Sequence, residues 1–516
     1  MVDVHLEVNV KDNTVELVNS LAKNGVIVLV GRSAGRALLF FVQITLGRFL
    51  GPIGFGIYAL GVATIDIVST VSSLGFDKGI LRFTAIFRGN KSEEPQLLGS
   101  IQLSFVTGLC VGVLGGILTY ILSPWISHVL SEPQLEDVLR AFSFSIPFYA
   151  LFLVVSGLIR GSNKMALDML IRELLKPTTN LVLLFLVFYF FKQYLLGAVL
   201  AFDITLILSV MLGLLSIYYL YPGSFKKFYF SKIWRNREIW SYSLSMLAIA
   251  IGAFGLFRVD KLILGNFVSS GQVGIYSATV MFATQNTFLL GAVNTAFAPQ
   301  IAKLYHQYEM KKLEYLLKLL NRWSTMAILP FIMVSILFPK EILGLMGEGF
   351  RGGWLSLTIL SIGQFINAIT GSVGTLLSMS GNQKPEIWNT FITFLVGVLL
   401  IYWLSPRYGI LGGSIGIAVA LSFVNVMRVG QVYIIMRIHP FSKELLKVIN
   451  IATVVTIIWI VIDQVTDWKG LLQLFVGGLI VIAMYAFALW HWGLQENDKI
   501  MLSAAKNRLK LSMRWS

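Results

Sequence analysis

LGRFLGPIGFGIY, residues 46–58, returns 218 positions later as LGNFVSSGQVGIY, residues 264–276. Leu, Gly, Phe, Gly, Ile and Tyr recur at identical offsets, and each copy follows one long apolar run and leads into another. In a chain this hydrophobic, such a repeat marks two homologous bundles of membrane helices. Paired bundles around a central site are a common architecture of transporters.

Composition agrees. Of 516 residues, 56% are hydrophobic and 13% charged, and the mean hydropathy is +0.76, so water is not the main solvent. The net charge of +15 does not signal nucleic acid, because the basic residues are scattered singly or in short loops between apolar runs. They serve membrane orientation instead. The lone Cys110 excludes an intrachain disulfide and any cysteine metal cluster. The polar opening, with Asp3, Glu7, Asp12 and Glu16, does not read as a cleavable signal peptide, so the first span is expected to direct insertion. No GxxxxGK[ST] occurs, the five histidines are dispersed, and no metal-ligand spacing appears. No metal and no cofactor are expected. No large extramembrane domain with paired carboxylates is present, so the chain does not read as an enzyme.

A crossing helix needs ~20 apolar residues at ~1.5 Å each. Runs of that size lie near 25–50, 53–76, 96–122, 138–159, 174–192, 194–221, 239–264, 273–298, 315–338, 353–378, 387–404, 409–436, 445–464 and 471–493. The fold class expected is an all-α integral membrane protein with about fourteen transmembrane helices. Lys and Arg in alternate connections number 27 on one side and 5 on the other, which puts both termini in the cytoplasm. The expected organisation is a cytoplasmic segment (1–24), a first lobe of six spans (25–221), a cytoplasmic linker (222–238) and a second lobe of six (239–436). Two extra spans (437–493) and a basic tail (494–516) follow. RGSNK at 160–164 echoes SGNQK at 380–384, which supports the duplication. The tail alternates basic and apolar residues, as an interfacial amphipathic helix would.

An ionised side chain at bilayer depth costs several kcal/mol unless it faces a cavity or a partner. Arg32, Arg36, Asp66, Arg140, Asp203, Arg258, Asp260, Lys261 and Arg428 fall inside spans and are the informative residues. Arg32 and Arg36 lie four apart on one helix face among Gly31, Ser33, Ala34 and Gly35, a spacing that suits a phosphate or diphosphate. Arg32 can also snorkel to headgroups, whereas Arg36 lies deeper. Arg258, Asp260 and Lys261 form a structural ion pair or a substrate or coupling-ion site, and sit too close in sequence to point one way. Asp66 and Asp203 are single acids that would take H⁺ or Na⁺, or pair with Arg36 or Arg140. Arg428 stands nearer the cytoplasmic end of its span, either as an anchor or inside.

The text around the repeat resembles a known family. Arg48-Phe49-Leu50-Gly51-Pro52, Gly56-Ile57-Tyr58, Leu74-Gly75-Phe76 and Arg82-Phe83 in the first half answer Val259-Asp260-Lys261-Leu262, Leu264-Gly265 and Val273-Gly274-Ile275-Tyr276 in the second. Together they resemble the Wzx-like oligosaccharide-lipid branch of the multidrug/oligosaccharidyl-lipid/polysaccharide (MOP) exporter superfamily, over essentially the whole chain. The resemblance implies a two-lobed MOP flippase fold, like that of the multidrug MATE transporters, alternating between inward- and outward-facing forms. It also implies a substrate: a sugar-loaded polyprenyl or dolichyl (di)phosphate carried from the cytoplasmic to the outer leaflet. Related lipid II flippases place arginines of the first helix in a cationic cavity for the diphosphate. By that likeness Arg32, Arg36, Arg140, Arg258 and Lys261 become candidate phosphate contacts, and Asp66, Asp203 and Asp260 candidate cavity acids. Arg48, Gly51, Tyr58, Gly274 and Tyr276 carry the motif itself.

The reading is a flippase in the cell membrane serving surface polysaccharide or protein glycosylation, with lipid-linked oligosaccharide and membrane lipids as partners. Other glycan-assembly proteins are further partners and nucleic acid is not. A multidrug extruder exchanging organic cations for H⁺ or Na⁺ is the alternative, but it would want acids in its cavity where arginines here outnumber them. A membrane polymerase or ligase would carry a long external loop, and the outward loops are short.

Overall fold

Uninterrupted apolar runs leave the backbone to satisfy its own hydrogen bonds, and in hydrocarbon only a helix does so within one segment. The computed structural model describes residues 2–88, 91–190, 194–222, 236–381, 383–466 and 468–494. Side chains are described from Gly31 onward, except at 32, 91, 252–257, 292, 295, 296 and 383. Among the described residues the regular structure is helical and no strand occurs. The linker at 223–235, the tail from 495 and the side chains of the first thirty residues lie outside the described residues.

Among the described residues ten helices are long and apolar enough to cross a membrane, or eleven if the bent pair Gln134–Ser143 and Ser145–Gly161 counts as one span. Of the fourteen expected runs, the one at 239–264 lies in the helix over Arg237–Gly265, whose side chains at 252–257 are outside the described residues, and the other differences have identifiable reasons. The first two apolar runs follow each other in one stretch, α1 (Val2–Ser72), as two helices that meet at a kink at Gly51, where the sequence put their boundary; its apolar part, Ser33–Ser72, covers 40 residues and counts once. At ~1.5 Å per residue that is about twice the ~30 Å hydrocarbon core. Gly51 interrupts it at φ 63°, a left-handed conformation that only glycine adopts at little cost, and Pro52 follows. The run at 273–298 divides into α2 (Ser270–Gln285) and α3 (Phe288–His306), each short by itself. The bent pair turns 48° at Phe144. Pro147, one turn into the second member, has no N–H for the Ser143 carbonyl. Pro177 acts similarly on the helix over Met165–Phe190, whose turn Leu170–Leu175 is wound as a π-helix just ahead of it.

The chain divides into two compact units. The first comprises 1–278, 346–350 and 390–416, and the second 279–345, 351–389 and 417–516. Inside the first, the two repeat copies meet. A Cβ on Gly56 would overlap the Ser270 carbonyl oxygen, and a Cβ on Gly274 would overlap the carbonyl oxygen of Pro52. Gly56 and Gly274 are equivalent in the repeat, as are Pro52 and Ser270. The contact is therefore reciprocal, as a local two-fold axis requires. Without a hydrophobic drive between helices in lipid, such close backbone approach is what holds them. Leu130 and Leu60 pack over Gly265, and Met346 packs over the equivalent Gly47.

A buried apolar cluster fills the rest of the first unit, built on Phe76, Phe83, Ile101, Leu158 and Leu206. Trp240 meets Phe76 edge-on at 5.1 Å. The second unit has its own cluster around Leu313, Leu320, Leu376 and Val432. Asn236 caps the helix over Arg237–Gly265, accepting from the Glu238 amide at 3.0 Å, and Ser442 caps Lys443–Asp463 through the Leu445 amide at 3.1 Å.

Candidate functional site

Within the first unit, α1 and the helix α4 (Arg237–Gly265) pack along each other and bring two distant charges together. Asp66 is buried, and Arg258 Nη1 approaches its Oδ2 at 2.5 Å. Tyr149 also lies close to Asp66, within electrostatic range of its carboxylate. Lys176 and Lys261 stand within electrostatic range of the same carboxylate. The Lys176 ammonium lies over three rings, at 4.9 Å from Phe152, 5.1 Å from Tyr149 and 5.5 Å from Phe202. Ring faces hold a cation in a dry place without neutralising it.

The cluster continues along the helix over Met165–Phe190. Asp168 is buried, accepts from the Ser156 hydroxyl at 2.5 Å, and faces Arg160 and Arg172, each at 3.7 Å. Arg172 also meets Glu173 at 3.2 Å. Gly35 of α1 lies against the Glu173 backbone, where a Cβ would overlap the Glu173 carbonyl oxygen. The same packing sets exposed Arg36 one position away. The side chain of Arg32 lies outside the described residues.

The three neighbouring charges of α4 go separate ways. Arg258 turns to Asp66. Asp260 is buried, accepting from the Tyr276 hydroxyl at 3.0 Å and from the Lys261 amide at 2.8 Å. Asp203 accepts from Ser145. Arg140 pairs with Glu136 of its own helix at 2.7 Å and lies over the Tyr120 ring, away from the Asp66 pair. Arg48 is exposed, while Tyr58 and Tyr276 are buried. Asp66 was open to pairing with Arg36 or Arg140 on sequence grounds; its partner is Arg258, 192 positions away.

The second unit holds a different site. A cavity of about 510 Å³ is lined by Asn294, Asn367, Glu386, Asn425 and Arg428, with Gly371 and Gly374 in its wall. Arg428 grips Glu386 with two nitrogens, Nε at 3.0 Å and Nη2, and its Nη1 reaches Asn425 Oδ1 at 3.5 Å. Neither Glu386 nor the carboxamides stood out in the sequence. Uncharged polar residues are common in helices, and Glu386 sits at a helix start where an acid needs no special explanation. Among the described residues no group of three His, Cys, Asp or Glu could hold a metal ion.

A model of the family described as polysaccharide biosynthesis protein matches residues 21–305, more than half of the chain. The chain belongs to this family. Like other polysaccharide biosynthesis proteins of the family, it has related chains in bacteria and archaea. It is 22% identical over 413 residues to a Shigella flexneri protein named as an O-antigen transporter, covering 77% of this chain and 94% of that one. It is 24% identical over 408 residues to a Haloferax volcanii protein named as the flippase AglR, covering 74% and 76%. Among solved structures, the lipid II flippase MurJ in its inward closed conformation is similar with a TM-score of 0.71 at 16% identity, over 90% of this chain and 99% of that one. An inward-facing MATE family multidrug resistance transporter of the MOP superfamily is similar at 0.66 and 15% identity, over 80% and 98%. At these identities the likeness shows the fold, and it is the two-lobed fold that the resemblance of the sequence motifs implied.

Proposed function

We propose that this polysaccharide biosynthesis protein carries a lipid-linked oligosaccharide, joined through a phosphate or diphosphate, from the cytoplasmic to the outer leaflet of the cell membrane by alternating access. A saccharide headgroup is too polar to cross hydrocarbon unaided and needs a wet path. The observation that carries the reading is the Asp66–Arg258 pair with Lys176 and Lys261 beside it, cations held at bilayer depth by exchangeable carboxylate partners. At rest Arg258 has Asp66 to offset it, and Lys176 lies over aromatic rings. An arriving diphosphate competes with the acids for the same cations. On this reading an H⁺ or Na⁺ gradient drives the cycle, and Arg36 adds a further cation on α1. The relatives named as an O-antigen transporter and a flippase support the substrate class.

The two lobes at 25–221 and 239–436, with both termini in the cytoplasm, complete the proposal and rest on the repeat and on the 27-to-5 bias of Lys and Arg. Glycan-assembly proteins that load the lipid on the inside and use it on the outside are the partners such a carrier needs.

The test is transbilayer movement in proteoliposomes holding the full chain. A fluorescent oligosaccharide-diphosphate-polyprenol is expected to become accessible to an external quencher at a rate that protein-free vesicles lack. Export of an organic cation under an ion gradient, with no lipid movement, would establish the multidrug reading instead.

A further inference from the structure

We propose that the cavity of the second unit is a sugar-reading subsite, taking an uncharged pyranose of the transported saccharide through its hydroxyl or acetamido groups. This rests on the flippase reading and assigns part of the substrate to residues outside the charged cluster.

Four observations lead there. The first is the chemistry of the wall. Asn425 Nδ2 donates to Asn367 Oδ1 at 3.1 Å, Asn367 Nδ2 donates to Gln364 Oε1 at 3.3 Å, and the Thr287 hydroxyl donates to the same Gln364 oxygen at 3.2 Å. Carboxamides present a donor and an acceptor side by side, which matches a sugar hydroxyl that both gives and takes. Behind Glu386, Asn389 and Gln431 exchange two hydrogen bonds at 2.7 and 2.8 Å, locking the array from the rear.

The second is charge. Arg428 is closed on Glu386 in the two-pronged geometry of a guanidinium and a carboxylate. The pair is neutral together, so the cavity does not offer the cationic surface a phosphate needs. The third is an unanswered acceptor. Among the described residues Asn294 Oδ1 is buried at the cavity wall with no hydrogen-bond partner. A buried acceptor is costly unless something donates to it, and a ligand hydroxyl would. The fourth is room. About 510 Å³ lies within the ~300–1,000 Å³ usual for small-ligand sites, and Gly374 leaves the Arg428 guanidinium its place, since a Cβ there would stand 3.2 Å from Nε.

The experiment uses the full chain in nanodiscs and saturation-transfer NMR with a panel of methyl glycosides: glucoside, galactoside, mannoside, rhamnoside, N-acetylglucosaminide and N-acetylgalactosaminide. Inorganic pyrophosphate binding is measured in parallel. At least one glycoside is expected to receive saturation from the wild type and to bind at least tenfold more weakly to Asn294→Leu and Asn425→Leu. Pyrophosphate binding is expected to stay unchanged in both. Gly291→Leu serves as a plug that removes no side-chain hydrogen bond: a Cβ at Gly291 meets nothing within 4 Å, so folding is little burdened and glycoside binding should fall likewise. Thermal midpoints check folding for each variant. No glycoside binding to the wild type, or binding indifferent to all three variants, would overturn the proposal, as would ²²Na⁺ binding that these variants alone abolish. Loss of pyrophosphate binding in the wild type itself would instead count against the flippase reading.

Discussion

In the first unit, buried acids meet half-buried arginines: Asp66 with Arg258, and Asp168 with Arg160 and Arg172. In the second, one pair, Glu386 with Arg428, stands among Asn367, Asn389, Asn425 and Gln431. The repeated sequence makes the contrast instructive. Gly56 and Gly274, or Tyr58 and Tyr276, recur because close packing needs them. Asp66 and Asp260 have no charged counterpart, since 218 positions after Asp66 stands Thr284, which hydrogen-bonds its own helix at Met281, and 218 before Asp260 stands Val42; Asp168 does recur, as Glu386, another acid paired with arginine. Duplication preserved the frame and let the polar interior diverge. A carrier of a molecule that is anionic at one point and sugar at another has a use for both chemistries.

The largest effect is expected where the frame is tightest. Gly56→Val or Gly274→Val drives a side chain into backbone, and each should destabilise by more than ~3 kcal/mol and abolish monodisperse protein on size exclusion. Gly291→Val, with open space around it, should move the thermal midpoint by less than ~0.5 kcal/mol in equivalent stability. Equal losses at all three positions would remove the distinction between frame and cavity.

Next come the ion pairs. Arg258→Ala strands buried Asp66 and is expected to cost about 2 kcal/mol, below the fully buried case because the Arg258 side chain is 34% exposed. A double-mutant cycle with Asp66→Asn should return a coupling of about 1 kcal/mol or more. The same cycle on Glu386→Gln and Arg428→Gln, whose side chains are 20% and 21% exposed, should give a coupling at least as large. A null coupling in the first unit would mean that Arg258 is already free for another anion.

A smaller asymmetry separates the repeated tyrosines. Tyr276→Phe loses a hydrogen bond to buried Asp260 and should cost about 2 kcal/mol. Tyr58 lies against the Phe142 ring at 5.7 Å and has Val42 at the equivalent of Asp260, so Tyr58→Phe should cost less than ~0.5 kcal/mol. Thermal melts of the two variants in one detergent decide it.

The frame was legible because its constraints are local. Glycines at fixed offsets and apolar runs of crossing length mark themselves. The span count was less so, since hydropathy does not register that Asn286 and Thr287 divide one run or that another bends at Phe144. Intramembrane charges were visible one by one, as their cost makes them conspicuous, but their partners were not. Arg258 and Asp66 are brought together by packing over 192 positions, and Lys176 owes its setting to rings from two other helices. Asn367 and Asn425 stayed hidden because a carboxamide in a helix is unremarkable until others surround it.

The most direct measurement compares flipping of polyprenyl diphosphate with and without its saccharide, in proteoliposomes of wild type, Arg258→Ala and Asn425→Leu. Arg258→Ala is expected to stop both lipids, and Asn425→Leu to slow only the sugar-bearing one. Wild-type rates for both lipids in Arg258→Ala, with the protein folded, would contradict a diphosphate path through the charged first unit.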